Sequence, residues 1–360
     1  MVEHFETALH EREGIEQPSQ INPYLQKRKR RELSVNDYVE GIRNGDRVIL
    51  SRAITLIEST HPEHQKLAQE VIERCLPYAG NSLRIGITGV PGAGKSTFIE
   101  AFGTFLTAHG KNIAVLAIDP SSERSKGSIL GDKTRMEQLS VDPHAFIRPS
   151  PSGLTLGGVA RKTRETIILC EAAGFDIIIV ETVGVGQSET VVKSMVDFFL
   201  LIMLAGAGDE LQGIKRGIME MADALIINKA DGDNVIPAQL AKTRYQSALH
   251  LFPKNDNGWT VPVATCSALE HTDIDNVWKI ISEFEALTKR NGSFAENRNS
   301  QNIKIFYDWI DFTIKNNFFQ NPDVQNAIET ILPKVQAGEI TPYQAGNSVV
   351  AHQKTENTEA

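Results

Sequence analysis

The residues best suited to chemistry in this chain are the run Gly-Val-Pro-Gly-Ala-Gly-Lys-Ser at positions 89–96. The run follows an apolar, strand-like stretch at 83–88 and precedes a helical pattern, which is the setting of a phosphate-binding loop. Glycines let successive backbone N–H groups turn inward around a phosphate, and the following helix adds its positive N-terminal end. We predict that Lys95 reaches the β- and γ-phosphates and that Ser96 holds a magnesium ion. An ordinary glycine-rich turn is the alternative.

A second motif, Asn-Lys-Ala-Asp at 228–231, follows the strand-like stretch 224–227 and has the form of the guanine-reading motif of GTPases. A carboxylate at Asp231 can accept hydrogen bonds from guanine N1–H and from the exocyclic amine, which adenine does not present there. We predict that Asn228 braces the loop and that the stem of Lys229 lies along the ring face. The purine is therefore predicted to be guanine; a polar loop after a strand is the alternative.

The last base-contacting loop is predicted at Cys-Ser-Ala-Leu, positions 266–269, directly after a strand at 261–265. The Ser-Ala pair fits the corresponding loop of GTPases, and the expected nucleotide contacts are Ser267, Ala268 and Leu269. The three motifs occur in the order that such a domain requires.

Glu181 is the candidate acid on the magnesium side of the site. It follows the apolar stretch 175–180, and Gly184 stands three positions later. Signalling GTPases carry aspartate at this point, so glutamate indicates another branch of the GTPases. The longer side chain changes the reach of the carboxylate, directly or through water, toward an ion that bridges the β- and γ-phosphates. A helix-capping acid is the alternative.

Two further carboxylates could complete the metal site. Asp119 closes the apolar strand 113–118, and Asp132 lies in the glycine-bearing loop 127–135. Ligands of open parallel sheets bind at such strand ends. The same region holds cations that could neutralise a transferring phosphoryl group or could simply be solvated: Arg124, Lys126, Lys133 and Arg135.

The elements that position these residues alternate between apolar strand candidates and helical segments from 82 to about 287. This pattern predicts an α/β fold, a doubly wound and mostly parallel sheet of the P-loop GTPase type, with helical extensions at both ends. The expected organisation is a flexible arm at 1–33, a helical appendage at 34–80, the GTPase domain at 81–290, a helical dimerisation arm at 291–350 and a polar tail at 351–360.

The extensions carry their own signals. A Ser-Val-Asn-Asp cap at 34–37 precedes helical patterns at 38–42, 47–57 and 65–76. Three short helices are predicted at 303–318, 323–335 and 341–350, and their apolar faces must be buried. We favour a dimer interface for them over packing on the same domain.

Composition and charge argue against broad nucleic-acid binding and indicate the compartment in which the chain works. The 360 residues include 37 basic and 45 acidic ones, a net charge of −8, which disfavours broad nucleic-acid binding. The three cysteines form no Cys-x-x-Cys pair, as is typical of a reducing compartment. With no signal-like or membrane-spanning apolar run, the chain is expected to be cytoplasmic. Early acidic residues argue against a mitochondrial leader: Glu3, Glu6, Glu11, Glu13 and Glu16.

Four blocks together resemble the methylmalonyl-CoA mutase-associated GTPases, a family whose members are also called ArgK-type transport kinases. They are the stretch 86–97, Asp-Pro-Ser-Ser at 119–122, Glu-Thr-Val-Gly-Val-Gly-Gln-Ser-Glu at 181–189, and Ala-Gly-Ala-Gly-Asp-Glu-Leu-Gln-Gly-Ile-Lys at 205–215. The resemblance covers about 33–350.

The resemblance implies a GTPase that uses GTP/GDP and Mg²⁺, binds an adenosylcobalamin-dependent acyl-CoA mutase, gates its cofactor loading and protects it. It also implies a homodimer through the C-terminal helices. A loop at 206–217 would be an additional switch that brings Gln212 and Lys215 to the nucleotide when the mutase binds. The implied phosphate contacts are Gly89, Gly92, Ala93, Gly94, Lys95, Ser96 and Thr97; the implied metal ligands are Ser96, Asp119, Asp132 and Glu181.

Three other functions remain as alternatives. A nickel-insertion GTPase shares the Glu-x-x-Gly pattern, but the nine histidines are dispersed and form no histidine-rich tract. A transport-system kinase would use ATP, against which the guanine motif argues. A scaffold with a decayed nucleotide site is disfavoured by the intact Lys95, Ser96 and Glu181.

Overall fold

The computed structural model describes residues 33–118, 136–149, 156–182, 188–206, 216–253 and 255–356. One parallel sheet lies at its centre. Its seven strands are β1 (Leu83–Gly89), β2 (Ile113–Ile118), β3 (Ala145–Arg148), β4 (Ile177–Thr182), β5 (Phe198–Leu204), β6 (Ala224–Asn228) and β7 (Val263–Thr265). The order across the sheet is β3-β2-β4-β1-β5-β6-β7, and every neighbouring pair is parallel.

The strands form where apolar runs are long enough to be buried on both faces, as parallel sheets require. All six residues of β4 are buried, including Glu181 near its end. The last strand, β7, begins at Val263 and is two residues shorter than predicted; Pro262, directly before it, has no N–H and joins the sheet only through its carbonyl oxygen, which accepts the backbone N–H of Leu225. The predicted doubly wound, parallel α/β fold is confirmed.

Helices cover both faces of the sheet. They are α4 (Lys95–Ala108), α5 (Glu137–Val141), α6 (Leu156–Ala172), α7 (Ser188–Lys193), α8 (Arg216–Met221), α9 (Val235–Leu249) and α10 (Ile274–Asn291). On one face, Phe98 and Phe102 of α4 share a core with Ile85 of β1. On the other face, Val159 of α6 packs in a core with Ile178 of β4. Because the strands are all parallel, their carboxyl ends and the starts of the helices that follow them lie at the same edge of the sheet.

Within the described residues, three α-helices precede the sheet: α1 (Val35–Arg43), α2 (Arg47–Glu58) and α3 (Pro62–Cys75). The Ser34 side chain accepts the backbone N–H of Asp37, and the Asp37 carboxylate accepts the backbone N–H of Ser34. This reciprocal pair is a capping box. Ile42 and Ile54 belong to the same core as Ile178, so these helices pack directly on the nucleotide domain.

The chain ends in α11 (Ser293–Gln320), α12 (Pro322–Gln336) and α13 (Pro342–Glu356). We predicted a short helix at 303–318, but α11 is 28 residues long. It begins directly after Gly292, ten residues earlier than predicted. Gln301 near its start is buried. Large apolar side chains beyond it are exposed: Ile303, Phe306, Tyr307, Trp309, Phe312, Ile314 and Phe319. Among the described helices, none is both long and apolar enough to cross a membrane.

Candidate nucleotide-binding site

The predicted phosphate-binding loop connects β1 to α4, and its shape depends on two glycines. Gly94 has a φ of 80° and caps the N-terminus of α4, a conformation that residues with a Cβ rarely adopt. A Cβ at Gly94 would also lie 2.9 Å from Nδ2 of Asn228. At the end of β1, a Cβ on Gly89 would lie 2.2 Å from the carbonyl oxygen of Ile202 in β5. Both positions therefore need glycine.

Lys95 is the first residue of α4, and its Nζ donates to the carbonyl oxygen of Gly89 at 3.0 Å. This hydrogen bond folds the ammonium back over the loop. Burial lowers the pKa of Lys95, and the carboxylates of Glu181 and Glu189 act in the opposite direction. A partly desolvated cation at the mouth of a phosphate loop attracts an anion more strongly than a solvated one.

Ser96 and Glu181 come together although 85 positions separate them. Their Oγ and Oε1 atoms are 3.4 Å apart, because Glu181 of β4 pairs in register with Ile87 of β1, next to the loop. Glu181 is 4% exposed. A hydroxyl and a carboxylate at this spacing are oxygen ligands of the kind that Mg²⁺ prefers.

The other predicted metal and switch residues, Asp119, Asp132, Gln212 and Lys215, lie outside the described residues, as do the loop cations. Within the described ranges, no group of three or more His, Cys, Asp or Glu side chains is arranged to hold a metal ion. Thr97 is exposed in the first turn of α4.

Asn228, at the end of β6, joins the phosphate-binding loop at 89–96 to the base-contacting loop at 266–269, which we call the base loop. Its Nδ2 donates to the carbonyl oxygen of Ala93 at 2.8 Å, and its Oδ1 accepts the backbone N–H of Ala268 at 3.1 Å. The thiol of Cys266 approaches the same Oδ1 at 3.5 Å. Asn228 is 1% exposed, so both loops are held by one buried amide.

Asp231 is oriented by the base loop. The hydroxyl of Ser267 lies 2.5 Å from its Oδ2, and the same hydroxyl oxygen accepts the backbone N–H of Glu270 at 3.1 Å. Lys229 has a φ of 58°, a left-handed conformation that is uncommon for residues other than glycine. Its Cε lies 3.7 Å from the position of a Cβ on Gly94, so its stem runs beside the phosphate loop. Leu269 is 75% exposed at the rim.

Two interactions at this edge were not predicted, one a hydrogen bond and one electrostatic. The Thr182 hydroxyl donates to Oγ1 of Thr88 at 2.8 Å, which ties the ends of β4 and β1 together in the core. Glu189 in α7 is buried, and with Glu181 it opposes the lowering of the Lys95 pKa that burial causes. The influence of Glu189 could have been suspected from the sequence, because an acid stands in the first turn of the helix that follows the Glu181 strand. The Thr182–Thr88 hydrogen bond could not, because threonines at strand ends are too common to indicate a pair.

The arrangement gathers a cation, a hydroxyl and a carboxylate around the phosphate loop, and an amide, a carboxylate and a hydroxyl around the base loop. All of them lie at the carboxyl edge of β1, β4, β6 and β7. Parallel sheets bind their ligands at this edge. The geometry suits a nucleotide whose phosphates lie at α4 and whose base lies between Lys229 and the 267–269 loop.

Comparison with known proteins gives four further findings. A family model described as methylmalonyl Co-A mutase-associated GTPase MeaB matches residues 50–323. The chain is 46% identical over 317 residues to a probable GTPase of Mycobacterium tuberculosis, which covers 88% of this chain and 94% of that protein. It is 44% identical over 317 residues to a protein of Mus musculus named methylmalonic aciduria type A homolog, mitochondrial, with 85% and 76% covered. A crystal structure of a LAO/AO transport system kinase matches with a TM-score of 0.72 at 39% identity, covering 89% of this chain and 97% of that one.

Proposed function

The chain belongs to the family of methylmalonyl-CoA mutase-associated GTPases, and from that premise we propose that it is a chaperone of an adenosylcobalamin-dependent acyl-CoA mutase. Its family and its P-loop fold make it a GTPase, which binds GTP and GDP and hydrolyses GTP to GDP and phosphate. In the proposed role, the GTPase cycle gates loading of the mutase cofactor and protects or reactivates the mutase.

The observation that carries the assignment of a nucleotide site is the bridge made by Asn228. One buried side chain bonds both Ala93 of the phosphate loop and Ala268 of the base loop. Phosphate and base contacts are thereby held at a constant separation, which favours a whole nucleotide over a free phosphate. Asp231, held by Ser267, supplies the carboxylate that distinguishes guanine from adenine.

The residues fit a magnesium ion on the phosphate side. Ser96 Oγ and Glu181 Oε1 are hard oxygen donors 3.4 Å apart, and Asp119 and Asp132 are further proposed ligands. When bound, the ion would neutralise charge on the β- and γ-phosphates. Lys95 donates to the same phosphates, exchanging its bond with the Gly89 carbonyl for stronger bonds to an anion.

Hydrolysis by the protein alone is expected to be slow. We propose that mutase binding closes the 206–217 loop and brings Gln212 and Lys215 to the nucleotide, where a cation stabilises the charge of the transition state. Replacing Lys215 by alanine should then remove most of the mutase-stimulated rate and spare the basal rate. Lys279→Ala, on the exposed face of α10, is the matched control.

Dimerisation through the C-terminal helices is part of the proposal. Phe306 and Tyr307 of α11 are 59% and 64% exposed, and a contiguous apolar surface of this kind is typical of an interface. Light scattering should give twice the mass of the chain. Phe306→Ser should shift the protein toward the monomer, whereas Lys304→Ser, an exposed neighbour, should not.

The deciding experiment measures GTP hydrolysis by the protein alone and with an acyl-CoA mutase of the same genome, with ATP as the control nucleotide. Stimulation that is specific to GTP and accompanied by a complex would support the chaperone function. Hydrolysis without stimulation and without a complex would contradict it and leave a GTPase with another client. Hydrolysis of ATP at the same rate as GTP would contradict the guanine site.

A further inference from the structure

A hydrogen bond between two buried threonines lies beside the proposed metal site. The Thr182 hydroxyl donates to Oγ1 of Thr88 at 2.8 Å, and the two residues are 0% and 2% exposed respectively. Thr182 directly follows Glu181 at the end of β4, and Thr88 directly precedes Gly89, the first residue of the phosphate loop. The bond therefore joins the two strand ends from which the acid and the loop emerge.

The position of this bond in the sheet is at the very end of a ladder. The register between β1 and β4 runs up to the pair Ile87 and Glu181, and the two threonines stand at the next position. On their other sides, Thr88 is paired with β5 and Thr182 with β2. The side-chain hydrogen bond thus closes the contact between β1 and β4 at the nucleotide edge.

The threonines and the acid lie on opposite faces of β4, because side chains alternate along a strand. Glu181 faces α4, where its Oε1 lies 3.4 Å from Oγ of Ser96. Thr182 shares its face with Val180, two positions earlier, which belongs to the core on the other side of the sheet. The hydrogen bond therefore holds the strand end that carries the acid without occupying space at the phosphates.

A magnesium site tolerates little movement between its ligands. Mg²⁺ takes near-ideal octahedral geometry with oxygens at about 2.1 Å, so two oxygens at adjacent positions lie about 3 Å apart. Ser96 Oγ and Glu181 Oε1, at 3.4 Å, are close to that separation. Ser96 is attached to β1 through the phosphate loop, whereas Glu181 belongs to β4. Any shift of β4 relative to β1 therefore changes the distance between the two ligands.

We propose that Thr182 and Thr88 are positioning residues for magnesium, which fix the end of β4 against β1 so that Glu181 stays within reach of the ion held by Ser96. Their side chains face away from the proposed ligands, so neither is a catalytic residue. The inference rests on the proposed magnesium site and adds the contact that sets the separation of two of its ligands. Loss of this bond should weaken Mg²⁺ binding and leave the base loop unaffected.

The test titrates Mg²⁺ into the full chain mixed with a fluorescent, non-hydrolysable GTP analogue and follows the affinity for the analogue. In Thr182→Val, which keeps the shape but not the hydroxyl, the Mg²⁺ concentration that gives half of the full effect should rise about tenfold. Affinity measured in EDTA, without the metal, should stay within about twofold of the wild-type value. Thr182→Ser keeps the hydroxyl and should restore the wild-type Mg²⁺ dependence.

A double variant separates positioning from stability. Replacing both partners of a buried hydrogen bond by apolar groups of the same shape can be nearly neutral for stability. Thr88→Val combined with Thr182→Val should therefore unfold with a free energy close to that of the wild type, measured by chemical denaturation. The weakened Mg²⁺ dependence should nevertheless remain.

Thr288→Val is the matched control, because Thr288 is a buried threonine whose hydroxyl donates to the carbonyl oxygen of Phe284 within α10. Its Mg²⁺ dependence should equal that of the wild type. Thr88→Val, which removes the acceptor, provides the second single variant if Thr182→Val does not fold, and it should weaken Mg²⁺ binding in the same way.

A wild-type Mg²⁺ dependence in a folded Thr182→Val or Thr88→Val protein would overturn the positioning role. So would a double variant that recovers this dependence together with its stability, or an equal weakening in Thr288→Val. A wild type whose affinity for the analogue does not change with Mg²⁺ would instead overturn the proposed magnesium site, and the positioning role would fall with it.

Discussion

The hydroxyl of Ser267 donates to Oδ2 of Asp231 over 2.5 Å, across two loops that lie 36 positions apart in the chain. The bond fixes the plane of the carboxylate before any base is present. An oriented carboxylate can accept from guanine N1–H and from the exocyclic amine without first losing conformational freedom. The specificity of the proposed site thus depends on both loops.

Asp231→Asn should weaken GTP binding by about 100-fold and improve binding of xanthosine triphosphate, because the amide presents a donor where guanine needs an acceptor. Competition titration with the two nucleotides measures the change. Asp233→Asn, two residues away and exposed, is the control and should leave the preference for GTP intact. An unchanged base preference in Asp231→Asn would count against the guanine site.

Lys95→Ala should reduce the affinity for GTP and for GDP by about 100-fold or more, because charge-assisted hydrogen bonds to the phosphates are lost. Calorimetric titration of each nucleotide measures the loss. Lys279→Ala, which removes an exposed lysine on α10, is the control and should leave both affinities unchanged. If Lys95→Ala bound GTP as tightly as the wild type, the loop at 89–96 would not be the phosphate site.

Arg298→Met should lower the free energy of unfolding by about 3 kcal/mol, because it breaks a buried ion pair. The guanidinium of Arg298 donates to both carboxylate oxygens of Asp197 at 2.7 Å, and to the carbonyl oxygens of Gly80 and Ser82 at 2.6 Å. These contacts hold the start of α11 against the edge of the sheet opposite the nucleotide.

Chemical denaturation measures that loss, and Lys304→Met on the exposed face of α11 is its control. Nucleotide affinity should change by less than about twofold in Arg298→Met, since distant sites act nearly independently. A large loss of affinity in a folded Arg298→Met protein would show that the start of α11 also controls the nucleotide site.

Cys75 gives a prediction for high pH. Burial raises the pKa of its thiol to about 11 from 9.0. Between these values the unfolded chain releases a proton that the folded chain keeps, so stability falls as pH rises. The loss should reach about 2 kcal/mol by pH 11.

Denaturation of the wild type and of Cys75→Val at pH 8 and pH 11 isolates this contribution from other groups that titrate there. The variant should lose about 2 kcal/mol less than the wild type between the two pH values. Equal losses would mean that the thiol ionises in the folded protein as it does in the unfolded one.

The sequence by itself determined the kind of fold and the positions of the three loops that we predict to bind the nucleotide. Each of these signals is carried by contiguous residues: glycines that permit a tight loop, apolar runs that must be buried on both faces, and polar residues placed directly at strand ends. Helix caps are equally local, and the Ser34 and Asp37 cap forms as predicted. Family membership followed from the same blocks.

Only the tertiary structure decided how the loops are joined. Asn228 reaches Ala93 across 135 positions, and Arg298 reaches Gly80 across 218. Nothing in the spacing of Thr88 and Thr182, 94 positions apart, marks them as a pair. Such contacts arise because parallel strands bring distant segments to one edge of a sheet, and a charge that becomes buried there must find a partner. The sequence specifies which residues can do chemistry, and the packing of the sheet selects which of them meet.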